Sequence, residues 1–92
     1  MQAALVLPAT LTLNQANAFV REQVLAIAGN PTPQVTVDAS CLVHFDSSAL
    51  AALLELRREA LVAGKGFLVK GQSQRLRDLA GLYGVGQLLG AG

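Results

Sequence analysis

Charge is scarce in this chain and nowhere concentrated. Seven Lys and Arg and six Asp and Glu give a formal net charge of +1, with only 14% of residues charged. Nucleic-acid binding, which needs a concentrated basic patch to neutralise phosphates, is therefore disfavoured. Cysteine is nearly absent too. Cys41 has no second thiol for an internal disulfide or a metal-ligand pair, and it reads as a small buried hydrophobe in a reducing compartment. No apolar run approaches the roughly 18 residues of a membrane span. The start, Met1-Gln2-Ala3-Ala4, lacks a positive region, and Leu5 to Leu13 is interrupted by Pro8, Thr10 and Thr12, unlike a secretion signal. The expectation is a soluble cytoplasmic protein that meets a membrane only by docking on a membrane complex. There is no G-x-x-x-x-G-K-[ST], no Cys/His metal spacing and no glycine loop between a strand and a helix. No metal or cofactor is expected, and an enzyme has little to stand on.

What the chain does have is apolar residues, 52% of its 92 positions. That argues against disorder and for one domain spanning residues 1–92, able to bury roughly 60–65% of the surface its unfolded form exposes. So lightly charged a surface points to a part of it being covered by a partner.

Short extended segments alternate with helical ones. Ala3 to Leu7 and Thr10 to Leu13 read as one or two short strands broken by Pro8-Ala9. Thr12-Leu13-Asn14-Gln15 fits a capping box, and a helix follows to about Ala28 with Ala16, Phe19, Val20, Val24 and Ile27 on one face. Gly29-Asn30-Pro31-Thr32-Pro33 stops it, with Gly29 suited to a left-handed terminus and proline unable to continue. Gln34 to Asp38 is a β-branched strand, and Cys41-Leu42-Val43 extends it toward Asp46. Ser47 to Ala63 is uninterrupted by Gly or Pro, with Leu50, Leu53, Leu54 and Leu61 and several alanines on a broad apolar face and Glu55 placed to pair weakly with Arg58. Phe67 to Lys70 is another strand. Ser73 N-caps a helix from Gln74 to about Tyr83, and a glycine-rich tail holds Leu88-Leu89. Arg75 and Arg77 read as solvated helix residues. The alternation predicts an α/β fold, about four mostly parallel strands with helices packed on the sheet.

Val43-His44-Phe45-Asp46-Ser47-Ser48-Ala49-Leu50 is the most informative stretch, because a strand-to-helix turn leaves its hydroxyls exposed. Asp46 is placed to N-cap the helix. Ser47 then falls in the first turn, near the positive end of the helix dipole, where a phosphate or another anion is stabilised. Ser48 is either a second capping hydroxyl or a contact residue. His44 beside Phe45 is either a titrating group or a packing residue, and Tyr83 either a contact residue or a lid on the core. The presence of Ser, His and Asp does not make a triad, which requires geometry.

Taken together, these segments resemble the STAS domain family, named for sulfate transporters and anti-sigma factor antagonists. Val35-Thr36-Val37-Asp38 is similar to its central strand ending in Asp. Phe45-Asp46-Ser47-Ser48-Ala49-Leu50 resembles its D-[ST]-[ST]-[GA]-L turn into a helix, and Gly64-Lys65-Gly66-Phe67-Leu68-Val69 the turn and strand that follow. The ending Leu76 to Val85 looks closer to the MlaB branch, the cytoplasmic subunit of the Mla phospholipid-transport ABC system. That resemblance implies a non-enzymatic module that docks on the transporter's nucleotide-binding ATPase subunit, with Asp46, Ser47, Ser48, His44 and Tyr83 as partner-binding residues. The sigma-factor branch implies the alternative, an antagonist switched by phosphorylation of Ser47 by a kinase that is itself the anti-sigma factor. Two departures stand out. Ala9-Thr10-Leu11-Thr12 replaces the family's G-E-L-D element and removes its acid, and Ala49 stands where a Gly is common.

Overall fold

Pro8 decides how the first strands pair. The structure is a computed structural model describing residues 4–90; Ala3 of the expected first strand and the last two tail residues lie outside that range. Strand β1 (Ala4–Val6) runs parallel to β3 (Gln34–Asp38), with Leu5 opposite Val37. The Leu7 N–H still donates to the Asp38 carbonyl at 2.9 Å, but Pro8 has no N–H to offer and the ladder stops. It resumes after the break, as β2 (Thr10–Leu11) pairs in parallel with β4 (His44–Phe45). The fifth strand, β5 (Gly66–Lys70), lies parallel to β3 on its other side. The result is a three-stranded sheet in the order β1-β3-β5 and a two-stranded companion, parallel throughout.

Strand alternation puts Leu5, Val35, Val37, Phe67 and Val69 on one face, and all five join the core. The crossovers between parallel neighbours are helices α1 (Leu13–Gly29) and α2 (Ser47–Val62), which pack side by side. Right-handed crossovers in one direction put both helices on the same face of the sheet. Helix α2 buries Ala49, Leu50, Ala52, Leu53, Leu56 and Ala60, and each buried leucine contributes about 2 kcal/mol. Helix α3 (Gln74–Leu82) buries Leu76 and Ala80. The glycine-rich end is no loose tail: Gly86–Leu89 forms a 3-10 turn that inserts a fully buried Leu89.

Three helix-start expectations hold locally. The Gln15 amide oxygen accepts from both the N–H and the hydroxyl of Thr12 at 3.0 and 2.6 Å. The Ser73 hydroxyl accepts from the Leu76 N–H at 3.1 Å. The start of α2 is described with the site below. The expected Glu55–Arg58 pair forms at 3.6 Å but is solvent-exposed and adds little.

Other expectations are corrected. Gly29 is not left-handed; helix α1 ends because Asn30, held before Pro31, is extended (φ −96°, ψ 125°). Cys41-Leu42-Val43 does not prolong the strand. The Asp38 carboxylate accepts from the Ser40 N–H at 2.9 Å and the Leu42 N–H turns back to the Ala39 carbonyl, so the chain leaves the sheet. That turn buries Leu42 and exposes Cys41. Gly71 packs against it: with φ +71° and a virtual Cβ only 3.1 Å from the Ser40 backbone nitrogen, the position takes glycine alone.

Lys65 makes a bond that local patterns do not announce. Its ammonium, half-buried, donates to the Asn30 and Thr32 carbonyls, tying the α2–β5 turn to the segment after α1. Helix α1 has no basic residue in its last turn, so this lysine brings positive charge to its negative end from another part of the chain. Replacing Lys65 with Met is expected to lower unfolding stability by about 1–2 kcal/mol in urea titration. An unchanged midpoint and slope would show that water replaces the ammonium at no cost. At the other end of β3, bonding to the Ser40 side chain and backbone, helped by nearby Lys70, holds the Asp38 carboxyl below its ordinary 3.8. A depressed folded value means stability is present above 3.8 and is lost as pH falls through the folded value. Asp38→Asn is therefore expected to flatten the acid limb of the stability curve, measured by thermal melts between neutral and strongly acidic pH.

Candidate functional site

Strand β4 delivers the chain to α2 with Phe45 half-buried beside Leu11 and Asp46 in extended geometry (φ −128°, ψ −166°). The Asp46 carboxylate accepts from the Ser48 N–H at 2.8 Å, satisfying one of the free amides of the first turn. Immediately behind, Ala49 and Leu50 are buried at 0% and 3% exposure. With those two side chains directed into the core, helical geometry leaves Ser47 and Ala51, one turn apart, on the outside. The Ser47 hydroxyl is exposed and makes no hydrogen bond with the described residues. It sits at the amide-rich end of a well-formed helix, ready for another molecule to contact.

Ser48 is half-buried and turned the other way. Its backbone is capped by Asp46, but its hydroxyl caps nothing; it lines a shallow hollow between α1 and α2 with Leu13, Asn17, Ala52 and Glu55. His44 is exposed on β4, opposite Thr10, with its N–H bonded to the Ala9 carbonyl at 2.9 Å. No hydrogen bond joins the His44 ring to Asp46 or Ser47, and the Asp46 carboxylate is already committed as a cap. The geometry thus assembles no proton relay. Where the family's G-E-L-D acid would stand, Thr10 and Leu11 simply complete the β2–β4 ladder. Ala49 in place of Gly is fully enclosed and packs as core.

Tyr83, far from Ser47 in sequence, is brought to it. Helix α3 ends at Leu82, and Tyr83, 57% exposed, lines a shallow groove with Ser47, Leu50, Ala51, Leu54 and Val85 of about 320 Å³. A second hollow of about 420 Å³ is lined by Phe45, Asp46, Arg75, Asp78, Leu79 and Leu82. Asp46 and Leu82 of this hollow are the chain neighbours of Ser47 and Tyr83 of the groove. Leu82 is 82% exposed there.

Arg75 is exposed, as expected of a solvated helix residue, and also reaches back to β4. Its guanidinium lies over the Phe45 ring at 4.7 Å from the centroid and donates to the Val43 carbonyl at 3.2 Å. It adds a contact between α3 and the strand that leads into α2. No spacing rule reveals this contact, since its partners lie some thirty residues upstream on another element.

Among the described residues no group of His, Cys, Asp and Glu is arranged to hold a metal, and no helix is long and apolar enough to cross a membrane. The hollows are open and shallow, unlike the enveloping pockets that bury a small ligand. An exposed tyrosine and leucine beside an unbonded hydroxyl, on rigid helices, make a surface that a protein partner can cover.

Comparison with curated proteins gives no match. A family model described as "Mlab, STAS domain" matches residues 2–90, and the architecture found here, parallel strands with three helices, agrees with a STAS fold. STAS domains in general are protein-interaction modules rather than enzymes. The match spans the strand, the helix start and α3 with its flanking turn, so the chain belongs to the STAS domain family and is of its MlaB type.

Proposed function

We propose that this chain docks on the nucleotide-binding ATPase subunit of an ABC-type phospholipid transporter, through the start of α2 and the groove between α2 and α3. The observation that carries the reading is the exposed, unbonded Ser47 hydroxyl on an apolar groove that it lines with Leu50, Leu54 and Tyr83. Asp46 supports the surface from within as the cap, while Ser47 and Tyr83 meet the partner directly. Ser48 and His44 flank the contact, the first toward α1 and the second on β4. The chain itself then contributes no chemistry and reaches the membrane through the transporter. Its role is to hold and support the ATPase.

Co-purification and size-exclusion chromatography with the ATPase subunit test this. The wild type is expected to co-elute, and Ser47→Arg to reduce binding about a hundredfold or more by placing a large charge at the centre of the contact. Because Ser47 is exposed, the variant's melting temperature should stay close to wild type. Retained co-elution of a folded Ser47→Arg protein would overturn the reading.

The same hydroxyl supports a second reading, an anti-sigma factor antagonist switched by phosphorylation of Ser47. A phosphate there would meet the positive end of α2, while its charge of about −2 would repel a partner built for a neutral surface. Incubation with a cognate kinase and ATP, followed by mass spectrometry, should then show one phosphate on Ser47. An unmodified chain would sink that reading and leave the docking one in place.

A further inference from the structure

The groove at Ser47 has two sides of unequal firmness. One is helix α2, through Ser47, Leu50, Ala51 and Leu54, with Leu50 set in the core. The other is Tyr83 and Val85, which lie past the end of α3. From Tyr83 to Gly90 the chain is exposed except for half-buried Val85 and fully buried Leu89. Its backbone bonds are local: the Val85 N–H donates to the Ala80 carbonyl at 2.9 Å, Leu88 to Val85 at 3.0 Å and Gly90 to Gln87 at 3.4 Å. Attachment to α2 and β5 therefore falls mainly to the packing of Leu89. Gly90 lies close over β5, where a Cβ would come within 2.7 Å of the Leu68 side chain. Left-handed glycines stand at both ends of this stretch, Gly84 at φ +71° and Gly90 at φ +79°. Segments with few buried contacts are the ones that open before the rest of a fold.

We infer that residues 84–90 form a strap that opens and closes as a unit on the Leu89 anchor, and that only the closed strap completes the docking groove. This deepens the docking reading above, as a regulation of the same surface, and rests on it. With Leu89 withdrawn, Val85 and the chain beside Tyr83 lose their seat, and the groove keeps only its α2 side. A partner that needs both sides binds the closed fraction alone, so its apparent affinity falls by that fraction. The coupling is reciprocal: a bound partner holds the strap shut. Leu89 itself touches no partner. It is a positioning residue that acts through Val85 and Tyr83.

Amide hydrogen exchange, with and without the purified ATPase subunit, and the affinity for that subunit test this in wild type, Leu89→Met and Leu89→Ala. In free wild type, the Val85, Leu88 and Gly90 amides are expected to exchange at least about tenfold faster than those of the central strand β3. The bound subunit should slow Gly90, which does not line the groove, by about tenfold. Leu89→Ala should leave the strap amides nearly unprotected and weaken binding about tenfold, whereas Leu89→Met, which keeps the volume, should stay near wild type in both. A strap that exchanges in step with β3, or one opened by Leu89→Ala with binding unchanged, overturns the gating and leaves the docking surface standing. If Leu89→Ala does not fold, the wild type decides: Gly90 exchange unaltered by the bound subunit overturns the gating. If the wild type itself does not bind, the docking reading falls and this inference with it.

Discussion

Everything on the Ser47 side of the molecule depends on how closely helix α2 lies against the sheet. Its inner face alternates small and large residues, with Ala49, Ala52 and Ala60 set among Leu50, Leu53 and Leu56, all buried. The alanines permit close approach and the leucines fill the space that remains, as dense protein interiors require. Helix α1, β5, α3 and the final 3-10 turn all contact α2. A bulkier residue at Ala49 would lift the helix start, and with it Asp46, Ser47 and one wall of the groove. Surface geometry here is a by-product of core volume.

Within that constraint the Asp-Ser-Ser run divides its labour by direction. The acid folds back on the helix and terminates it, one hydroxyl faces the α1 side, and the other faces outward over the groove. A capped helix start frays less, so the outward hydroxyl is held at a fixed position. Binding at this hydroxyl, as proposed, would then cost little ordering entropy on this side. Arg75 adds a tie between α3 and β4 by lying over Phe45, beside the buried Leu76 and Ala80 that seat the helix.

Much of this was legible in the sequence, wherever the governing interactions were local. The helices over 13–29, 47–62 and 74–82 follow from apolar spacing and capping residues, and the Asp46 cap from an acid directly preceding a helix. The parallel strands follow from their alternation with helices. What escaped were contacts between segments distant in sequence: Lys65 on the carbonyls after α1, Arg75 on Phe45, and Leu89 inserted into the core. Cys41 shows the limit of composition as a guide. It lies in an apolar run and is exposed, because a hydrogen bond from Ser40 to Asp38 turns the chain one residue too early for that run to continue as a strand. Ser47 and Tyr83 were both legible as contact candidates, but only the packing of α3 on α2 places them on one groove.

The all-parallel pairing also governs the order in which the molecule can be assembled as it is synthesised. Among the described residues there is no hairpin: Ala4 pairs with Thr36 and Gln34 with Gly66, so each ladder joins segments about thirty residues apart. A nascent chain emerging from the ribosome can form α1 early, but its first strand has nothing to pair with until β3 is out, and β3 lacks its second neighbour until β5 follows. Leu89, which follows all five strands and three helices, is the last of the buried core residues to emerge. Until then the apolar sheet face is incompletely covered, so the core that supports the Ser47 surface is completed late rather than progressively as the segments emerge.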